Sequence, residues 1–141
     1  MIALDTNILA RAIVDEADAD AETDAQQRQA RALLASGKAL FVPVTVVEEL
    51  EWVLRGVYDL PAQEVVALFE DLLAIDHITV DRAGAVRQAL DWHRQGVDFS
   101  DALHLAQAGL CAEMASFDVR FTKLGARFGL LPTVLSPSAL T

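Results

Sequence analysis

Met1-Ile2-Ala3-Leu4-Asp5-Thr6-Asn7-Ile8-Leu9 changes its periodicity half-way along. Ile2 and Leu4 alternate with small residues, which predicts a short buried strand, and the alternation stops at Asp5-Thr6-Asn7. Beyond it Ile8, Leu9, Ala12 and Ile13 return at helical spacing. The same change from strand to helix recurs downstream. Leu40-Phe41-Val42-Pro43 reads as a second strand, and from Val44 the pattern is helical as far as Arg55-Gly56, where glycine is a natural stop. Pro61 opens a helix that carries Val65, Val66, Leu68, Phe69, Leu72 and Leu73; Ile78-Thr79-Val80 is a third strand, leading into a helix from Ala83 to Arg94. Asp98 to Cys111 reads as a helix, Met114 to Phe117 as a strand closing at Asp118, and Pro132 to Leu135 as a last strand after the basic turn of Arg120, Lys123 and Arg127. Short apolar strands alternating with amphipathic helices predict an α/β protein, a three-layer α/β/α sandwich on a mostly parallel sheet.

Composition bounds what this fold does. The chain has 141 residues, 53% of them hydrophobic, enough for one sizeable core, and with no repeat or linker it reads as a single domain over residues 1–141. Its longest stretch without a charged residue or histidine, Ala39 to Val47, is far short of the roughly 18 apolar residues of a membrane span. No basic region precedes the first apolar residues, so no secretory signal is expected, and a single cysteine excludes an intrachain disulfide. Both features fit the cytoplasm. Cys111, in the apolar stretch Ala108 to Ala112, is expected as a buried filler of the core.

The formal charge of −10 argues against gripping duplex DNA by phosphate neutralisation alone. It is unevenly spread: Asp15, Glu16, Asp18, Asp20, Glu22 and Asp24 follow one another with no basic residue among them. That run is expected as a solvated loop or first helical turn, or else as a contact for a basic partner.

In α/β folds ligands bind beyond the C-terminal ends of the strands. Two strands run into aspartate, at Asp5 and Asp118; a third leads into the helix with Glu48, Glu49 and Glu51; Asp98-Phe99-Ser100-Asp101 starts another helix. Acids from four segments converging on one sheet edge would suit a hard divalent cation, which takes oxygen ligands. Each acid taken singly has a plainer role, since Asp5 and Asp98 are good helix caps and Asp118 a good turn residue. On the 44–55 helix an apolar stripe of Val46, Val47, Leu50, Val53 and Leu54 places Glu49 at its border and Glu48 nearly opposite. Glu49 is therefore the better ligand candidate and Glu48 the alternative, with Glu51 paired to Arg55 on the helix surface. The histidines bring no rival chemistry: His77 and His93 are expected at the surface or beside the site, and His104 as a satisfied, half-buried group. No nucleophile elbow, glycine-rich phosphate loop or zinc spacing is present.

The ordered set Met1 to Leu9, Glu49-Leu50-Glu51-Trp52-Val53-Leu54-Arg55, Asp98-Phe99-Ser100-Asp101-Ala102-Leu103-His104 and Ser116-Phe117-Asp118 resembles the PIN-domain family. Within it the set looks most like the VapC-type toxins of toxin–antitoxin pairs. The resemblance implies an α/β/α sandwich and a Mg²⁺- or Mn²⁺-dependent endoribonuclease, usually dimeric, held inactive by a VapB-type antitoxin. It also implies that Asp5, Glu49, Asp101 and Asp118 hold the cation, that Asp98 is an accessory acid, and that Thr6, Asn7 and Ser116 orient the ligating groups. RNA phosphodiesters would be hydrolysed by metal-activated water, leaving 5′-phosphate and 3′-hydroxyl ends. The acidic run is longer than the family pattern. Setting aside its six acids and the four ligands, 11 acids remain against 11 bases, so the rest of the surface is neutral on balance. The alternative is a catalytically silent PIN-like module that docks a basic protein partner.

Overall fold

Leu40 and Val42 are fully buried, and the strand that carries them is the middle of a parallel three-stranded sheet. The computed structural model describes residues 1–141 and divides into two compact units, Met1–Ala83 and Gly84–Thr141. In the first unit β1 (Ile2–Ala3) pairs with β2 (Leu40–Val42), and β2 with β3 (Ile78–Val80), all parallel. Parallel neighbours need crossovers, supplied by α1 (Thr6–Ile13) and α2 (Ala21–Leu34), then by α3 (Val44–Gly56) and α4 (Ala62–Leu73). In the second unit α5 (Ala83–Arg94, its first residue in the first unit) and α6 (Phe99–Gln107) precede β4 (Glu113–Ala115), which pairs in parallel with β5 (Thr133–Leu135) across α7 (Val119–Phe128). A short 3₁₀ turn, Pro137–Ala139, follows. The α/β class with parallel strand pairing is as the sequence predicts. No helix is long and apolar enough to cross a membrane.

Local chemistry explains the boundaries. Asp5, Asp20, Asp98 and Asp118 each stand at the N-cap of a helix and accept a backbone N–H with a side-chain oxygen. Pro43 and Pro61 open α3 and α4, and Gly129 closes α7 in the left-handed conformation (φ 63°).

Several expectations are corrected. β1 is an edge strand, so Ile2 and Ala3 are exposed and only Leu4 beside them is buried. The helix expected over Asp98–Cys111 stops at Gln107, ahead of the poor helix former Gly109, which leaves Leu110 and Cys111 exposed in a loop; Cys111 is not core filler. β4 ends before Ser116, and Phe117 is exposed. His77 is half-buried, and its Nε2 lies 2.7 Å from the Leu34 carbonyl; a carbonyl only accepts, so Nε2 carries the proton.

The largest correction is on α3. Its buried residues are Val47, Leu50, Glu51 and Leu54, so the carboxylate of Glu51 occupies a core position, only 3% exposed. At about 100° per residue this turns the buried face by roughly 50° from the stripe read in sequence. Glu51 is held by the Arg55 Nε, at 3.0 and 3.4 Å from its two oxygens. Arg55 itself is exposed, and removing its guanidinium leaves the buried Glu51 carboxylate without that compensation. Arg55→Ala is expected to lower the unfolding free energy by about 2 kcal/mol, and the near-isosteric Glu51→Met by less, as urea denaturation would show.

Candidate metal and nucleic-acid site

The first unit carries Asp5 and Glu49, the second Asp98, Asp101 and Asp118. Asp5 follows β1 and caps α1, with its Oδ1 accepting from the Thr6 N–H at 2.8 Å. Thr6 is 5% exposed, and its Oγ1 is the one buried side-chain polar atom without a hydrogen-bond partner. Such a group costs about 1–3 kcal/mol, and one placed beside a candidate ligand calls for a partner that arrives with the ligand. Asn7 is exposed and lines a cavity of about 470 Å³ between α1 and α2, together with Arg11, Gln26 and Gln29. Arg11, which the sequence left unplaced, donates to the Gln26 Oε1 and the Tyr58 hydroxyl and lies 3.6 Å from Glu16.

On α3 the turned face reverses the expected order of the glutamates: Glu49 is exposed rather than at the apolar border, and Glu48 is half-buried. Exposure leaves the Glu49 carboxylate hydrated and accessible to a cation.

The second unit places three carboxylates around the start of α6. Asp98 caps this helix and accepts the Asp101 N–H at 3.3 Å. Asp118 caps α7, accepting the Phe121 N–H at 3.0 Å, while its own N–H donates to the Ser116 Oγ, also at 3.0 Å. Asp101 is half-buried, and its carboxyl titrates above its ordinary value: burial is the main cause, the negative charges of Asp98 and Asp118 add to it, and His104 opposes them. His104 is thus close enough to be felt by Asp101, yet it is exposed rather than half-buried as expected. His93 packs against the residues on either side of Asp98, its Nδ1 2.7 Å from the Val97 carbonyl and its ring edge-on to Phe99.

Arg120 carries no sequence signal that links it to these acids. Its guanidinium donates to the Gly96 carbonyl at 3.3 Å and so ties the first turn of α7 to the loop that delivers Asp98. Gly96 has φ +105°, a conformation that L side chains rarely adopt.

A family model for the PIN domain matches residues 2–126. The chain belongs to the PIN-domain family. A search of curated proteins finds no match. PIN domains are in general nucleases that use divalent metal ions and act on nucleic acid. The donor set of this PIN domain suits such an ion: all the candidates are hard carboxylate oxygens, Asp101 feels the negative charges of Asp98 and Asp118, and a buried hydroxyl beside Asp5 lacks a partner. No three His, Cys, Asp or Glu side chains stand together as a ready ion-binding group.

A carboxyl that titrates higher in the folded state binds its proton more tightly there, so its contribution to stability falls as pH rises through the interval between the ordinary and the raised value. At neutral pH Asp101 is therefore a destabilising charge in the metal-free protein. Asp101→Asn is expected to raise the melting temperature in EDTA at pH 7 and to weaken its fall as pH rises above the ordinary aspartate value. A lower melting temperature would contradict this electrostatic reading.

Proposed function

We propose that this PIN domain is a Mg²⁺- or Mn²⁺-dependent endoribonuclease, the VapC-type toxin of a toxin–antitoxin pair. In this reading residues 1–141 act as one domain, in the cytoplasm, as a homodimer restrained by a VapB-type antitoxin. Asp5, Glu49, Asp101 and Asp118 hold the cation, and Asp98 assists. The observation that carries the reading is that Asp98, Asp101 and Asp118 come together in a chain of a nuclease family, with the Asp101 carboxyl held above its ordinary value first by burial and then by the charges of the other two. Carboxylates crowded at a loss of stability are what a cation site requires and what a purely structural surface avoids.

Each residue has a task the chain itself supports. Asp98 and Asp118 keep one oxygen on a helix N–H, which fixes the direction of the other. Ser116 accepts the Asp118 N–H and so holds the backbone of that ligand. Thr6 offers a desolvated hydroxyl to a ligating or substrate oxygen beside Asp5. When bound, the cation supplies neutralisation of the phosphate and a more acidic water. Single-stranded RNA, whose flexible backbone can follow a cluster of carboxylates once a cation neutralises them, is the substrate class.

The second reading, a silent module that docks a basic partner, draws on one fact: Asp5, Asp98 and Asp118 already serve as helix caps. Turnover separates the two. With antitoxin-free protein and mixed RNA, discrete fragments are expected with Mn²⁺ or Mg²⁺ and none with EDTA. Asp5→Asn and Asp101→Asn each keep a side chain of the same shape and are expected to cut about 100-fold slower or less readily still. Intact RNA in every lane, or wild-type rates in both variants, would overturn the assignment.

A further inference from the structure

The second unit holds a cavity of about 510 Å³ that none of the candidate acids lines. Gln88, Trp92 and Gln95 form one wall; spaced by four and three, they share one face of α5 continued a residue past its end. Phe128 lies on another wall, with the Arg127 guanidinium 5.2 Å from its ring centroid. Leu105, buried on α6, contributes as well.

No charged side chain lines this cavity, which excludes a cation or an isolated anion as its natural occupant. Two exposed primary amides each present a donor and an acceptor, and two aromatic side chains line the cavity with them, Phe128 with the Arg127 guanidinium over its ring. The ligand that matches is planar, with a π-face and an edge of alternating donors and acceptors: a nucleobase. Arg127 at the Phe128 face adds one positive charge, suited to the phosphate attached to such a base. Placement within the unit agrees. Leu105 stands one turn after Asp101 on the same face of α6, about 6 Å along the helix axis, within the span of a dinucleotide.

We propose that this cavity is a nucleobase-binding site for single-stranded RNA, in which Gln88 and Gln95 read the edge of a base stacked on Trp92 or Phe128 and Arg127 meets its phosphate. It deepens the nuclease reading and rests on it for the identity of the polymer, but base binding itself needs no metal.

The test uses the full chain with Trp52→Phe, an exposed position, so that Trp92 is the sole tryptophan. The four nucleoside 5′-monophosphates are titrated in EDTA and Trp92 fluorescence is read. Saturable quenching is expected, with one base preferred. Gln88→Leu should weaken the preferred nucleotide about 3- to 10-fold, the loss of one amide hydrogen bond, and flatten the preference. Arg127→Gln should weaken the monophosphate but not the free nucleoside. On RNA, Gln88→Leu should move the cut positions and leave the metal requirement unchanged. Circular dichroism checks folding, and Gln95→Leu, outside the helix, replaces Gln88→Leu if that variant fails to fold. No saturable quenching below about 10 mM, or unchanged binding in both glutamine variants, overturns the proposal. Nucleotide binding alongside uncut RNA refutes the nuclease and keeps the site; metal-dependent cleavage without quenching does the reverse.

Discussion

A carboxylate has two oxygens, and a helix start needs only one of them. Asp5, Asp98 and Asp118 each give one oxygen to a backbone N–H of the helix they begin. The cap leaves the second oxygen uncommitted, and α/β folds collect their ligands in the loops beyond the C-terminal ends of the strands. Capping and cation binding are therefore compatible uses of the same aspartate rather than competing explanations of it. The positive end of a helix also favours negative charge at its first turn, which offsets part of the repulsion among acids gathered there. Asp101 has no capping role of its own and is half-buried, so the crowding becomes visible at that residue.

Such a site weakens the fold that carries it, and the losses are made good at a distance. Thr6 Oγ1 is buried without a partner, and Asp101 is a charge in an unfavourable place. Against these stand Leu40 and Val42 in the middle strand and Val47, Leu50 and Leu54 on α3, all fully buried. Burying one such side chain contributes about 1.5–3 kcal/mol, so a few of them exceed what the acids cost. The separation is a general device: rigid apolar elements fix the backbone from which strained polar groups project.

The boundaries legible in the sequence are those governed by local chemistry. α3, α4 and α5 run where periodicity, proline and glycine place them, and β2 and β3 where the β-branched runs lie. What was not legible depends on tertiary partners. Glu51 reads as a surface residue because a helix wheel sorts side chains by polarity, whereas the chain buries this one against Arg55; the same substitution of a charge for a valine on the inner face misplaces Glu48 and Glu49. Cys111 reads as buried and Phe117 as the end of a strand because their neighbours are apolar, yet both fall in loops where α6 and β4 end early and both are exposed. Of the candidate site, the acids can be nominated from sequence, since only Asp and Glu supply hard anionic oxygens. The roles of Arg120 and the cavity beside Trp92 are not, since a carbonyl partner and a void leave no mark on the residue types.

The acidic run shows why net charge is a poor guide to what a polyanion meets. Asp15 lies 3.5 Å from Arg31, Glu16 accepts from the Tyr58 hydroxyl and faces Arg11, and Asp24 is 2.6 Å from Arg28. Asp20 caps α2, and the Thr23 N–H holds its carboxyl below the ordinary value. These exposed contacts add little stability, but they pair much of the segment's charge locally, and beyond a screening length of about 8 Å the remainder is hardly felt. The field near the candidate ligands of the second unit has another source. Arg120, Lys123 and Arg127 recur at three and four residues along one face of α7, all exposed, and the helix begins with Asp118. One helix thus offers a carboxylate at its first turn and a row of cations along its side. The first is suited to a divalent ion, the second to a row of phosphates, and so a chain of net charge −10 retains a local attraction for a polyanion.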